Sequence, residues 1–155
     1  MNATTATGTW LGFELAGQNY AVPLADVHEI IRPPTTTPVP GAPADVIGII
    51  NLRGTIVTVL DGCRRLGLGN GSASDNPNQR LVIFHDESES VGMRIDALQD
   101  VLELDTHELL PPPPGRAMRA DDPVLGALYR EDGFIALLDT GKLCGLRGSG
   151  VGTSA

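Results

Sequence analysis

Two stretches of this chain can be laid over each other without a gap. Pro23-Leu24-Ala25-Asp26-Val27-His28-Glu29-Ile30-Ile31 aligns on Arg94-Ile95-Asp96-Ala97-Leu98-Gln99-Asp100-Val101-Leu102. Apolar residues coincide at Leu24/Ile95, Val27/Leu98, Ile30/Val101 and Ile31/Leu102, and an acid coincides at Glu29/Asp100. Downstream, Val46-Ile47-Gly48 matches Val124-Leu125-Gly126, and Thr55-Ile56-Val57-Thr58-Val59-Leu60-Asp61 matches Gly133-Phe134-Ile135-Ala136-Leu137-Leu138-Asp139. The spacing from Gly48 to Asp61 equals that from Gly126 to Asp139. Self-similarity of this kind marks a duplicated structural unit. Each copy reads as a hairpin, a helical turn, a strand and a second hairpin. Strands this short and evenly spaced suit small barrels, whose closure hides their edges. Neither copy has much core alone, so each needs an apolar seam against the other. The fold class is mainly all-β, with short helices.

Local patterns agree with that unit. Leu11, Phe13 and Leu15 alternate with Gly12 and Glu14, the period of a half-buried strand. Gly17-Gln18-Asn19 reads as a turn, and Tyr20-Ala21-Val22 returns as the hairpin partner. Residues 24–28 leave room for one helical turn before Glu29-Ile30-Ile31-Arg32 resumes an extended pattern, and residues 33–43 hold five prolines in an irregular loop. Residues 47–52 and 55–60 flank Arg53-Gly54 as a second hairpin, and Arg64-Arg65-Leu66 forms a short helix ended by Gly67. Beyond the Gly/Ser/Asn-rich linker at 67–78, strands are expected at 81–85, 91–95, 99–104, 124–130 and 134–138. Thr106 is the expected cap of a short helix through Leu110, residues 111–114 are a polyproline spacer, and Glu131-Asp132-Gly133 is a hairpin turn. Asp61 and Asp139 are placed to cap the turns that follow their strands, and Phe13 and Tyr20 belong to the core.

Charge and residue inventory exclude several function classes. Lys+Arg number 11 against 19 Asp+Glu, a net charge of −8, which disfavours nucleic acid and anionic membrane surfaces. No apolar run approaches the ~20 residues that span a bilayer, and Met1 to Gly8 has neither the basic nor the apolar region of a signal peptide, so the expectation is a cytoplasmic protein. Cys63 and Cys144 match no zinc or redox spacing and read as reduced, buried or half-buried thiols. His28-Glu29 and His107-Glu108 begin like a zinc-binding HExxH motif, but Arg32 and Pro111 stand in its last position. Gly67-Leu68-Gly69-Asn70-Gly71 runs into Ser72-Ala73-Ser74-Asp75 with no helix pattern behind it, so it reads as linker rather than phosphate loop. The expectation is no catalytic residues, no metal and no cofactor: the chain is not an enzyme.

Phe13-Glu14-Leu15, Tyr20-Ala21-Val22-Pro23, Val27-His28-Glu29-Ile30 and especially Gly48-Ile49-Ile50-Asn51-Leu52-Arg53-Gly54 resemble the CheW family of bacterial chemotaxis coupling proteins. Val91-Gly92-Met93-Arg94-Ile95-Asp96 and Asp100-Val101-Leu102 extend the likeness through the second half. Thr58 departs from it where the family commonly has proline, and so does Gly62-Cys63 after Asp61. The resemblance implies one domain over residues 10–146, made of two SH3-like, five-stranded β-barrels packed across a shared hydrophobic seam. The two subdomains are expected at about 10–70, with interwoven ends, and at 79–146, leaving residues 1–9 and 148–155 as flexible tails.

The resemblance also implies an adaptor that couples chemoreceptors to the histidine kinase CheA. Its partners would be the regulatory domain of a CheA-type kinase, the cytoplasmic tip of a chemoreceptor and, in array rings, other CheW-like domains. It would be cytoplasmic and recruited to membrane-associated receptor arrays. The family's receptor-facing Arg and Glu fall on Arg53 and Glu29, which are suited to an ion pair, and Val27, Asn51 and Val101 join them as candidate receptor-binding residues. Asn51 has a second reading, fixing its own turn. Gly48 and Gly54 are the candidate kinase-interface positions, where a missing side chain admits close backbone or positive φ. A coupler of a non-flagellar chemosensory pathway, serving surface motility, development or second-messenger output, would read the same. A small-ligand-binding β-barrel using the seam as its pocket is the alternative from another class.

Overall fold

Two tight turns set the pairing of the first and second hairpins. Ala16 and Gly17 both take positive φ (52° and 78°), as do Arg53 and Gly54 (50° and 88°). Two such residues in a row make the turn whose twist matches antiparallel strands. The first joins β1 (Thr7–Leu15) to β2 (Gln18–Pro23), in register from Leu15↔Gln18 to Trp10↔Pro23. The second joins β4 (Val46–Leu52) to β5 (Thr55–Asp61), starting at Leu52↔Thr55. The computed structural model describes residues 7–69, 76–85, 89–111, 122–130 and 133–145.

Between those hairpins a 3-10 turn (Leu24–Asp26) leads into β3 (Val27–Ile31). After β5 come α1 (Gly62–Arg65), β6 (Arg80–His85), β7 (Ser90–Ile95) and β8 (Ala97–Asp105). A second 3-10 turn (Thr106–Glu108), β9 (Val124–Arg130), β10 (Gly133–Leu138) and α2 (Thr140–Cys144) follow. The strands form two five-stranded sheets, ordered β8-β1-β2-β10-β9 and β3-β6-β7-β5-β4. Each contains one parallel contact, β2 with β10 and β5 with β7.

The expected subdomains at about 10–70 and 79–146 carry interwoven ends, and the interweaving involves whole hairpins: each sheet draws on both sides of the linker. The sheet built from β8, β9 and β10 receives the β1–β2 hairpin of the first copy. The sheet built from β3, β4 and β5 receives the β6–β7 hairpin of the second. The physical reason lies in the short links: the three residues Leu24–Asp26 carry the chain from β2 straight into the other sheet. Thr7 to Thr9, expected in a tail, extend β1 against β8, where Thr7 pairs with Asp105 and the Thr9 hydroxyl donates to Glu103 at 2.7 Å. The cap at the second 3-10 turn is Asp105, which accepts from the His107 amide at 2.9 Å, not Thr106. Most of the polyproline spacer, the Glu131-Asp132 turn and the 148–155 tail lie outside the described residues.

Three apolar cores follow from the period of two. Trp10, Ala21, Leu104, Leu128, Ile135 and Leu137 fill the first barrel. Ile50, Val57, Val59, Leu81 and Ile83 fill the second. The alternate residues of the same strands, including Leu11, Phe13, Leu15, Tyr20, Val22, Leu60, Val82, Phe84, Met93 and Leu138, meet in a larger core between the sheets. Strands buried on both faces therefore read as continuous apolar runs such as Leu81-Val82-Ile83-Phe84. Among the described residues the seam is filled with apolar side chains, where the ligand-binding alternative required a pocket.

Candidate functional site

Asn51 closes the turn between β4 and β5, its side-chain oxygen accepting from the Gly54 amide at 2.8 Å. That contact holds the backbone of Arg53 and aims its guanidinium across the barrel. There Arg53 Nη2 donates to Glu29 Oε1 on β3. β3 and β4 are the two outer strands of their sheet, so the ion pair ties one edge to the turn at the other. The Arg53 side chain is 66% exposed and that of Glu29 26%. An exposed pair contributes little to stability, and much of the guanidinium fork faces solvent. The hydrogen bond from Arg53 is the main reason the Glu29 carboxyl sits below its ordinary range; partial burial opposes it, and the charges of Arg53 and His28 reinforce it. Arg53 is held protonated more firmly in return.

The expected site residues are only partly assembled. Glu29, Asn51, Arg53 and Gly54 form one connected group. Val27 starts the same strand as Glu29 but is half-buried against the seam core. Val101 is 56% exposed on β8, in the other sheet, opposite Leu11. Gly48 is buried beneath the proline-rich loop: a Cβ there would lie 2.2 Å from the Thr37 carbonyl oxygen. The missing side chain at Gly48 admits close packing of that loop.

Sequence reasoning missed the apolar neighbours of this group. Ile56, opposite Asn51 in register, is 55% exposed. The signal was available, because Val57 and Val59 point into the barrel and period two then turns Ile56 outward. Its repeat counterpart Phe134 is also exposed and meets Tyr129 edge-on with ring centres 5.9 Å apart. Asp100, the counterpart of Glu29, lines a groove of about 350 Å³ with Asn19, Gln99, Arg130 and Phe134. Among the described residues no group of three or more His, Cys, Asp or Glu side chains is placed to hold a metal, and no helix is long and apolar enough to cross a membrane.

The family model of the CheW-like domain matches residues 9–146. This chain belongs to the CheW-like family. A chemotaxis protein CheW of Rhizobium meliloti is 32% identical over 66% of this chain and 65% of its own length. The chain thus spans just under two thirds of that relative. A chemotaxis protein CheW of Bacillus subtilis is 28% identical over 90% of this chain and 88% of its own length. Among solved structures, the scaffolding protein TtCheW of Thermoanaerobacter tengcongensis superposes with a TM-score of 0.73 at 30% identity, covering 85% of this chain and 88% of that one. The two-sheet CheW-like fold and the SH3-like barrels expected from the sequence therefore stand.

Proposed function

We propose that this CheW-like chain is a coupling adaptor, bringing a CheA-type histidine kinase under chemoreceptor control, and that the Glu29–Arg53 group contacts the receptor tip. The observation that carries this reading is a largely solvent-facing guanidinium fork, held on a rigid turn beside an apolar Ile56. A planar fork of this kind offers paired hydrogen bonds that a lysine cannot copy. Family membership supplies the class of partner, and the buried seam fits a molecule that works through its outer surfaces. In this reading the protein acts in the cytoplasm, at membrane-associated arrays, where several modest contacts combine through linkage.

The test is calorimetry of the purified chain with a receptor-tip fragment and, separately, with the regulatory domain of its kinase. Arg53→Glu is expected to weaken receptor-tip binding at least about tenfold, or roughly 1.4 kcal/mol, while kinase binding and the melting temperature hold. Arg53→Asn keeps a favourable turn and removes the fork, so it should lose the same binding with equal or higher stability. Unchanged receptor affinity in both variants moves the site elsewhere, and binding of the wild-type chain to neither partner overturns the adaptor reading.

A further inference from the structure

Neither His28 nor His85 completes a metal-binding spacing along the chain, but the fold places them side by side. The pairing of β3 with β6 shifts from Val27↔Phe84 to Glu29↔Ile83, which leaves His28 as the extra residue of an irregularity. Such bulges re-aim a side chain. The His28 ring arrives next to that of His85, the last residue of β6, with ring centres 5.0 Å apart and planes 33° from parallel. Both residues are exposed.

The separation is compatible with a shared metal. An ion about 2.1 Å from one nitrogen of each ring, subtending roughly a tetrahedral angle, sets the two ring centres about 5 Å apart. His85 also has a hydrogen-bonding neighbour that can orient its ring. Its Nδ1 lies 3.2 Å from Ser90 Oγ, on the adjacent and largely buried first residue of β7. With the proton on Nδ1 donated to that oxygen, Nε2 presents its lone pair outward and the ring is fixed in place. His28 is exposed, with its ring open to solvent.

We propose that His28 and His85 form a two-imidazole site for a divalent first-row transition-metal ion of the zinc or copper type, with water completing the coordination. Imidazole nitrogen is a preferred ligand for both ions. The site needs no residue of the Glu29–Arg53 group and stands independently of the adaptor reading.

The experiment uses the full chain without an affinity tag. Zinc chloride and, separately, copper sulfate are titrated by calorimetry, and the imidazole Cε1–H resonances are followed by NMR. The expected result is saturable binding of one ion per chain, a melting temperature that rises with metal concentration, and perturbation of the His28 and His85 signals. His28→Gln and His85→Gln should each weaken binding at least tenfold while melting like the wild type without metal; His107→Gln should bind normally. Saturable binding that survives both His28→Gln and His85→Gln overturns the proposal, as does the absence of saturable binding of either ion to the wild-type chain.

Discussion

Arg53 sits in a backbone conformation that costs an L-residue with a side chain roughly 1–2 kcal/mol, and its exposed ion pair with Glu29 returns little of that. Ala16 takes the same conformation in the first hairpin with no ion pair, so the turn geometry alone does not call for arginine. What distinguishes position 53 is the guanidinium, which is the physical argument for a binding role. Cys63 shows the opposite relation between residue and surroundings. It is 1% exposed, and burial, with the charges of Asp96 and Asp61, pushes its thiol up to about 11. The folded chain therefore keeps Cys63 protonated at pH values where the unfolded chain, with a thiol near 9.0, ionises. Stability from this site is complete below about pH 9 and declines as pH rises through about 11. Iodoacetamide at pH 8.5, read by mass spectrometry, should label the half-buried Cys144 and spare Cys63, and Cys63→Ala should flatten the alkaline fall in urea midpoint.

At the scale of elements, the duplication extends to atomic detail. Gly48 and Gly126 share a φ of 158°, and a Cβ on either would stand 2.2 Å from a carbonyl oxygen, that of Thr37 or of Leu110. Each site is locked by an isolated bridge next door, Thr37↔Ile49 and Leu110↔Ala127, with N–O distances of 2.9 Å. Neither carbonyl can retreat without breaking its bridge. Gly48→Ala and Gly126→Ala are each expected to lose about 3 kcal/mol, within the range for strained packing at a special backbone site, measured by urea denaturation. The capping aspartates repeat as well: Asp61 accepts from the Cys63 amide at 3.0 Å and Asp139 from that of Lys142 at 3.2 Å. The capping aspartates were legible because each acts on an amide two or three residues away. The helices they start are tied together by a contact that was not legible. Arg65 on α1 donates to the carbonyls of Leu143, Lys142 and Gly145 at 2.9, 2.7 and 3.0 Å, closing the end of α2.

For the molecule as a whole, the exchanged hairpins make stability a joint property of both halves. In the order β3-β6-β7-β5-β4, the two strands from beyond the linker are those that connect β3 to β5. A fragment of residues 1–71 would hold β1 to β5, yet each sheet would lack the strands that join or cover them. Its core would also lose Val82, Phe84, Val91, Met93 and Ile95 from the seam. The fragment is expected to show no cooperative thermal transition by circular dichroism, whereas the full chain melts in one step. A cooperative melt of the fragment at the temperature of the full chain would rule out the shared seam as the source of stability.

The sequence by itself determined the strands and turns, the capping aspartates, the two-copy plan, the need for an apolar seam and the Arg53 turn. All of these follow from side-chain period, backbone preference or repetition within a short span. Only the tertiary structure decided which hairpin completes which barrel. Both candidate hairpins are apolar on both faces, so local pattern cannot choose between them. The choice rests on burying two faces of every central strand at once, a condition that involves residues such as Tyr20 and Ala136, paired across most of the chain's length. The same condition turned Val27 inward, buried Gly48, left Ile56 and Phe134 outside and brought His28 to His85. These placements depend on how strands register against distant partners, and that register is set by the free energy of the packed whole.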